Sequence, residues 1–309
     1  CKHLIFIYTL YISRHLSSIM VIKLFFSVCI FLFISDFAIA LETPIEINVE
    51  GDTYNRAQEI LQGQPVINFT SFEGVNAQRD VVDFILIQKA LILGGLNLKY
   101  KFSSHSYSDR NAKLIKDGYL LIGFDSFWHS EAEPMSDSVY ISDPVVAKGE
   151  YWAGVYVGIN NHNAQKAKSL KDLQQLSFIS SMNWGADWQT LTQLKPKSIK
   201  HDNDWLAMAK VVSLGWVDAM LAPFNKSDPF EYKANKYHIV AVNGIKVALN
   251  DSRHFLVSKK HPMGKKTFEA LQKGLKILQS EQAFKTAYIQ IGFINNKVKN
   301  WKVINPSNK

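Results

Sequence analysis

Eight side chains combine types and neighbours that could hold a small molecule: Glu73, Arg79, Asp125, Ser126, Trp128, Asn183, Trp184 and Phe224. Asp125-Ser126-Phe127-Trp128-His129 follows YLLIGF (Tyr119–Phe124), which reads as a buried strand. Open α/β sheets take ligands beyond the carboxyl ends of their strands, so this pentapeptide is the first place to look. Asp125 could accept from a ligand donor or merely cap the following turn. Trp128 could stack on a ligand or pack between helices. Asn183 and Trp184 stand where a helix is expected to start, and free N–H groups there point at any bound anion. Trp188, one turn on, is expected in the core. Glu73 and Arg79 flank the loop into the first long helix. Arg79 is the best partner for a ligand carboxylate, a surface salt bridge being its alternative fate. Phe224 lies just past the strand VDAMLA (Val217–Ala222), whose Asp218 reads as structural.

The same residue types argue against several chemistries. His105, His129, His162, His201, His238, His254 and His261 show neither H-x-x-x-H nor H-E-x-x-H spacing, so no metal site is expected. Asp125 with His129 could suggest acid–base work, but no G-x-S-x-G nucleophile accompanies them. Both cysteines, Cys1 and Cys29, fall in the first forty residues. A chain that loses those residues has no thiol for a disulfide, a redox pair or a thiolate metal site. No cofactor is expected.

Those first forty residues read as leader. Met20–Ala40, MVIKLFFSVCIFLFISDFAIA, has Lys23 as a short positive region, an apolar run from Leu24 to Ile34, and an A-x-A site at Ala38–Ala40. The apolar run is short for a membrane span, and residues 1–19 are expected to be translated upstream sequence. Removing Lys2, Arg14, Lys23 and Asp36 with the leader leaves 32 basic and 26 acidic residues, a net +6. That modest charge is spread out apart from Lys297–Lys302, which suits a solvated face better than a nucleic-acid footprint.

Alternating strand and helix patterns must position the candidate residues. Short strands are expected at Ile45–Val49, Pro65–Thr70, Leu96–Phe102 and Tyr119–Phe124, with helices at Arg79–Leu93 and Ser108–Lys116. Ser142-Asp143-Pro144 breaks the pattern, because proline fixes its own φ and pushes Asp143 towards extended geometry. A long strand, Tyr151–Val157, is then expected to cross into a second lobe. There the pattern restarts with a Ser169-capped helix, strands at Ser177–Ser181, Ser198–His201 and Val217–Ala222, and helices from Asn183 and Asn203. His238–Leu249 should cross back, followed by a strand at Arg253–Val257, helices at Pro262–Leu278 and Glu281–Gln290, and a polar, irregular tail.

With the elements in place, the chain resembles the type II periplasmic solute-binding proteins, in the group that includes the polar amino-acid receptors of ABC transporters. SVYISDPV is similar to that family's F-S-x-P approach to the first crossing, and SLKDLQQLSFISSMNWGADW to its s-L-x-D-L motif. VVSLGWVDAMLA and VSKKHPMGKKTFEALQKGLKIL resemble two later family motifs, so the match runs over about 45–292. The resemblance implies two α/β lobes joined by two crossing strands, a cleft between them, and hinge closure. Lobe one would take about 43–145 plus 248–309, and lobe two about 150–242. Two departures stand out. The family's ligand-clamping arginine belongs in the segment that here reads DSFWHSEAEPMSD, without arginine or lysine. Its acidic residue after the D-a-x-i strand is replaced by Ala222-Pro223-Phe224, with Asp228 displaced.

The function so implied is a soluble, monomeric periplasmic receptor of a Gram-negative cell. It would capture a small polar or aromatic solute and serve an ABC permease or a membrane sensor. One rival is a lyase on the same scaffold, similar to cyclohexadienyl dehydratase, with Asp125, Glu131 or Glu133 as acid. Another is an orphan domain acting through a protein partner.

Overall fold

The computed structural model describes residues 44–103 and 108–305. The leader expected at 1–40 lies outside them. Contacts separate a main compact unit, Glu46–Leu98 with Phe102 onward, from a small one. The described part of the small unit is residues 44–45 with Lys99–Lys101, tied by the Ile45 amide donating to the Lys99 carbonyl at 2.8 Å.

In chain order the first elements are β1 (Ile45–Asn48), α1 (Gly51–Leu61), α2 (Arg79–Leu93), β2 (Tyr100–Ser103) and α3 (Ser108–Asp117). They are followed by β3 (Phe127–Trp128), α4 (His129–Ala132) and β4 (Val139–Ile141). RDVVDFILIQKALIL is apolar nearly all round, and α2 is accordingly buried on most of its circumference. It crosses α8 (Gly264–Ser280) at glycines: a Cβ on Gly274 would lie 1.7 Å from the Ala90 carbonyl oxygen. The helix α9 (Ala283–Ile291) also packs there and ends at Gly292, whose φ of 85° suits glycine. Two small antiparallel pairings complete this half, β3 with β12 (Arg253–His254) and β4 with β13 (Leu256–Ser258).

The other half is built on an eight-stranded sheet. Its centre is β5 (Trp152–Gly158), the expected crossing strand, which runs antiparallel to β8 (Ala219–Pro223) on one side. On its other side lie β10 (Tyr237–Ala241) and β11 (Ile245–Ala248), both antiparallel, so the expected return crossing is one path bent at Gly244. Beyond β8 come β6 (Ser177–Ser180) and β7 (Ser198–His201), parallel to one another, while β9 (Glu231–Ala234) hangs on β10. Ser169 caps α5 (Leu170–Leu173) by accepting from the Asp172 amide. The helices α6 (Gly185–Leu194) and α7 (Trp205–Ser213) pack on the sheet. Tyr156, Ile179, Met208, Val212, Met220, Phe224, Phe230 and Ile239 form this half's core.

Three stretches depart from expectation. Pro65–Thr70 is not a strand but carries a 3-10 turn at Val66–Asn68, with Val66 and Ile67 half-buried and Phe69 buried, and with no strand partner among the described residues. Lys89 Nζ donates to the Phe69 carbonyl, and the Phe69 and Phe72 rings meet at 4.8 Å. Tyr119–Phe124 is buried from Leu120 on but not a regular strand; it meets β13 only at the isolated bridge Ile122–Val257. A Cβ on Gly123 would lie 3.0 Å from the Ile115 side chain and 3.2 Å from that of Phe127. The tail, as far as residue 305, is not irregular: β14 (Lys302–Val303) joins the large sheet parallel to β11, and Val298 enters the second core. Lys246, buried in β11, holds it through bonds to the Val298 and Lys299 carbonyls at 2.7 and 2.9 Å.

Candidate ligand-binding site

A cavity of about 780 Å³ lies where the two halves meet. Its first wall comes from β1, the start of α1, the first turn of α2, and α3: Asn48, Glu50, Thr53, Arg79, Asp80 and Asn111, with Phe124 and Asp125. Its second wall comes from the sheet half and is aromatic: Trp184, Trp205, Phe224, Tyr232 and Tyr237, joined by Glu231. Local structure fixes this wall. The Tyr156 and Tyr232 hydroxyls both donate to the Pro223 carbonyl, at 3.0 and 2.9 Å, which pins the end of β8 and with it Phe224. Asp204 caps α7 by accepting from the Leu206 and Ala207 amides, which places Trp205 at the mouth of that helix. Trp205 meets Tyr232 and Tyr237 edge to face at 5.2 and 5.7 Å.

At the base of the first wall sits a buried ion network. Arg79 opens α2, and Asp83, one turn on, is fully buried beneath it. The Arg79 Nη1 group donates to Asp83 Oδ2, to Asp125 Oδ1 at 2.6 Å, and to the Ser126 hydroxyl at 3.2 Å. Asp83 also accepts from the Ser126 amide and hydroxyl, at 3.1 and 2.6 Å, and from the Tyr288 hydroxyl at 2.5 Å. Burial opposes charge on Arg79, but Asp125, Asp83 and Asp80 outweigh it and hold the guanidinium well above its ordinary pKa. Burial pushes the Asp80 carboxyl up against the opposing pull of Arg79, while the Thr53 hydroxyl donates to it at 2.7 Å. Glu50, partly desolvated at the rim, is raised by that desolvation and by Asp80, Asp52 and Asp125.

A second polar group lies beside this network. Arg253, on β12, donates through Nε to the Ser126 hydroxyl at 3.0 Å and through Nη2 to the Ser126 carbonyl. Its guanidinium carbon lies 4.4 Å from the centre of the Trp128 ring, which packs in turn against Tyr151. Burial and the nearby Arg79 lower the Arg253 pKa. Glu131 Oε1 accepts from the Gly185 amide at 3.0 Å and so fills the N-terminus of α6 with a carboxylate of the protein itself. Asp187, in that first turn, is pushed up to about 7 by burial and by Glu131, against the attraction of Arg253.

The structure thus brings Arg79, Asp125, Trp184 and Phe224 to one cavity. Ser126 lies beneath it as the buried link between the two arginines. Trp128 is buried under Arg253 and does not line the cavity, so it shares no cleft wall with Trp184. Glu73 is exposed on a turn, where its amide donates to the Ser71 hydroxyl, and Asn183 is exposed with its amide on the Ser181 hydroxyl; neither lines the cavity. Trp188 is half-buried against His201 rather than deep in the core. Asp218 accepts from the Ser177 amide and hydroxyl, a structural brace. Sequence reasoning missed Glu50, Asp80, Trp205, Tyr232, Tyr237 and Arg253. The adjacent Arg79-Asp80 pair at a helix start was a visible signal; the two tyrosines and Arg253 gave none. Among the described residues no cluster of His, Cys, Asp and Glu is gathered to hold a metal, and no helix is long and apolar enough to cross a membrane.

No family model matches the sequence, and no curated protein does. Solved structures do match the fold. The probable amino-acid ABC transporter extracellular-binding protein ytmK of Bacillus subtilis superposes with a TM-score of 0.53 at 14% identity, covering 82% of this chain and 99% of that one. The periplasmic VFT2 domain of Bordetella pertussis BvgS gives 0.53 at 11% identity, covering 84% and 93%. The ancestral amino acid-binding protein AncCDT-1, a precursor of cyclohexadienyl dehydratase, gives 0.50 at 15%, covering 81% and 95%. At such identities the likeness is one of fold: the chain has the two-lobed α/β architecture of type II periplasmic binding proteins.

Proposed function

We propose that this protein is a periplasmic solute receptor that captures a small polar or aromatic molecule by closing its two lobes. The observation that carries the reading is the cavity of about 780 Å³, with a polar wall from one half of the fold and an aromatic wall from the other. A ligand touching both walls favours the closed form by its differential affinity, which is all that hinge capture requires. The lobes would cover about 43–145 plus 248–309 and about 150–242, with the tail from Asn296 laid on the second. Export through a cleaved leader, a monomeric state, and delivery to an ABC permease or a membrane sensor complete the proposal. Amino-acid binding by ytmK and AncCDT-1, as their descriptions state it, makes small nitrogenous solutes the first class to try.

A lyase is the second reading, favoured by the placement of Asp125, a candidate acid, on the cavity wall. A thermal-shift screen of the purified chain against amino acids, amines, aromatic acids, sugars and nucleosides separates the readings. A true ligand at about a hundred times its dissociation constant adds about 2.7 kcal/mol to stability. Recovering that ligand unchanged after incubation identifies a receptor, and recovering it dehydrated or cleaved identifies the lyase. Silence across every class would remove both and leave a domain that works through a protein partner.

A further inference from the structure

The cleft also says something about the charge of its ligand, and this step rests on the receptor reading. The two arginines and the helix N-terminus nearest the cavity are already engaged by groups of the protein. The Nη1 of Arg79 is shared between Asp83 and Asp125. Arg253 is tied to Ser126 through Nε and Nη2 and covered by Trp128. The first amide of α6, where a ligand anion would sit, donates to Glu131. A free carboxylate seated against Arg79 would meet the Asp83 and Asp125 carboxylates that already neutralise it, and at Arg253 or the helix start it would have to displace a protein partner.

The open surface of the cavity has the opposite character. Glu50, Asp80 and Asp125 converge on its first wall, and Glu231, bonded to His238 at 2.7 Å, stands on the second. Two lysines, Lys226 and Lys233, also line it; Lys226 Nζ donates to the carbonyl of Val75, another lining residue, at 3.2 Å. Asn111 presents a buried Oδ1 with no hydrogen-bond partner, an acceptor waiting for a donor. Opposite the carboxylates stand the Trp205, Tyr232 and Tyr237 rings, whose faces attract cations. We infer that the cleft takes a carboxylate-free organic cation, an amine or guanidine carried on an aromatic or alkyl body. The charged head would lie against Glu50, Asp80 and Asn111, and the body against the aromatic wall.

Calorimetric titration with three pairs that differ only by the α-carboxylate tests this: agmatine against arginine, cadaverine against lysine, and tyramine against tyrosine. In the pair that binds, the decarboxylated member should bind at least tenfold more tightly. Glu50→Gln, a change at an exposed position that leaves folding intact, should weaken that binding about tenfold, the cost of losing one charge-assisted contact. Asp80→Asn should do the same, with circular dichroism reporting its fold. An amino acid binding as tightly as its amine would overturn the inference and leave the receptor reading standing. So would a neutral or anionic ligand from the wider screen in the absence of any amine. Tight amine binding unchanged in both Glu50→Gln and Asp80→Asn would place the cation elsewhere and refute the assignment. A chain that binds no solute of any class would refute the receptor reading and this inference together.

Discussion

At the scale of single residues the site is governed by one aspartate. Asp83 is fully buried and accepts four hydrogen bonds, from Arg79, the Ser126 amide, the Ser126 hydroxyl and Tyr288. Removing Asp83 leaves Arg79 ion-paired with Asp125 alone and strips Ser126 and Tyr288 of their buried acceptor, and breaking a buried pair costs about 3–5 kcal/mol. Asp83→Ala should therefore lose about that much stability in chemical denaturation, whereas Asp125→Ala, whose side chain is over a third exposed, should lose far less. Equal losses would mean that Arg79 is held from the rim and not from below. Half of this network was legible in the sequence: Arg79 and Asp83 lie four apart at the head of a helix, the spacing of a facing pair. Arg253 was not legible. It reaches Ser126 only because β12 pairs with β3 across more than a hundred residues, and nothing local in DSRHFLV announces that pairing.

At the scale of elements, the crossing of α2 and α8 is set by backbone contact. A Cβ on Gly274 would lie 1.7 Å from the Ala90 oxygen, and one on Gly94 1.9 Å from the Ala270 oxygen. Alanine is the better helix former by about 1 kcal/mol, so on propensity alone Gly274→Ala would stabilise α8. The overlap is with backbone, which cannot rotate away, and overpacking of this kind costs about 1–3 kcal/mol or more. The net change should be a lower melting temperature; an unchanged or higher one would show that the helices can part freely. The tail offers a second test. Lys246→Met removes the bonds to the Val298 and Lys299 carbonyls and should expose Lys297–Lys302 to trypsin at concentrations that leave the parent intact. Periodicity located α2 to the residue and both C-terminal helices within a few residues, because long apolar stripes survive any tertiary context. It missed the 3-10 turn at Val66–Asn68 and the broken run at Tyr119–Phe124, where short apolar stretches pack without a strand ladder. It also missed the fold of the tail, whose placement depends on a lysine in a distant strand.

At the scale of the whole molecule, one carboxyl stands where the two halves face each other. Asp187 belongs to the sheet half through α6, while Arg253 and Glu131, the charges that face it, come from the other half. Its carboxyl stands at about 7 in the folded chain against an ordinary 3.8. Between those values the folded state holds a proton that the unfolded state has released, so this group makes stability fall as pH rises, with the full penalty present above about pH 7. Other groups move with pH as well. His254 and His261 are lowered by burial, so their contribution is lost as pH falls below the ordinary 6.5. For Asp218 burial raises the carboxyl, but the bonds from Ser177 and Asn161 prevail and lower it, so its contribution is lost only below pH 3.8. The parent's own pH profile therefore mixes signs, and the difference from Asp187→Asn isolates the aspartate. The variant should be nearly as stable as the parent at about pH 4, gain a growing advantage up to about pH 7, and hold it beyond. A difference that stays flat with pH would mean that Asp187 is ionised throughout. Separating the halves would return Asp187 to water and lower its pKa, so alkaline pH should also favour the open form. Small-angle scattering should then give a larger radius at pH 8.5 than at pH 6 for the parent and the same radius at both for Asp187→Asn.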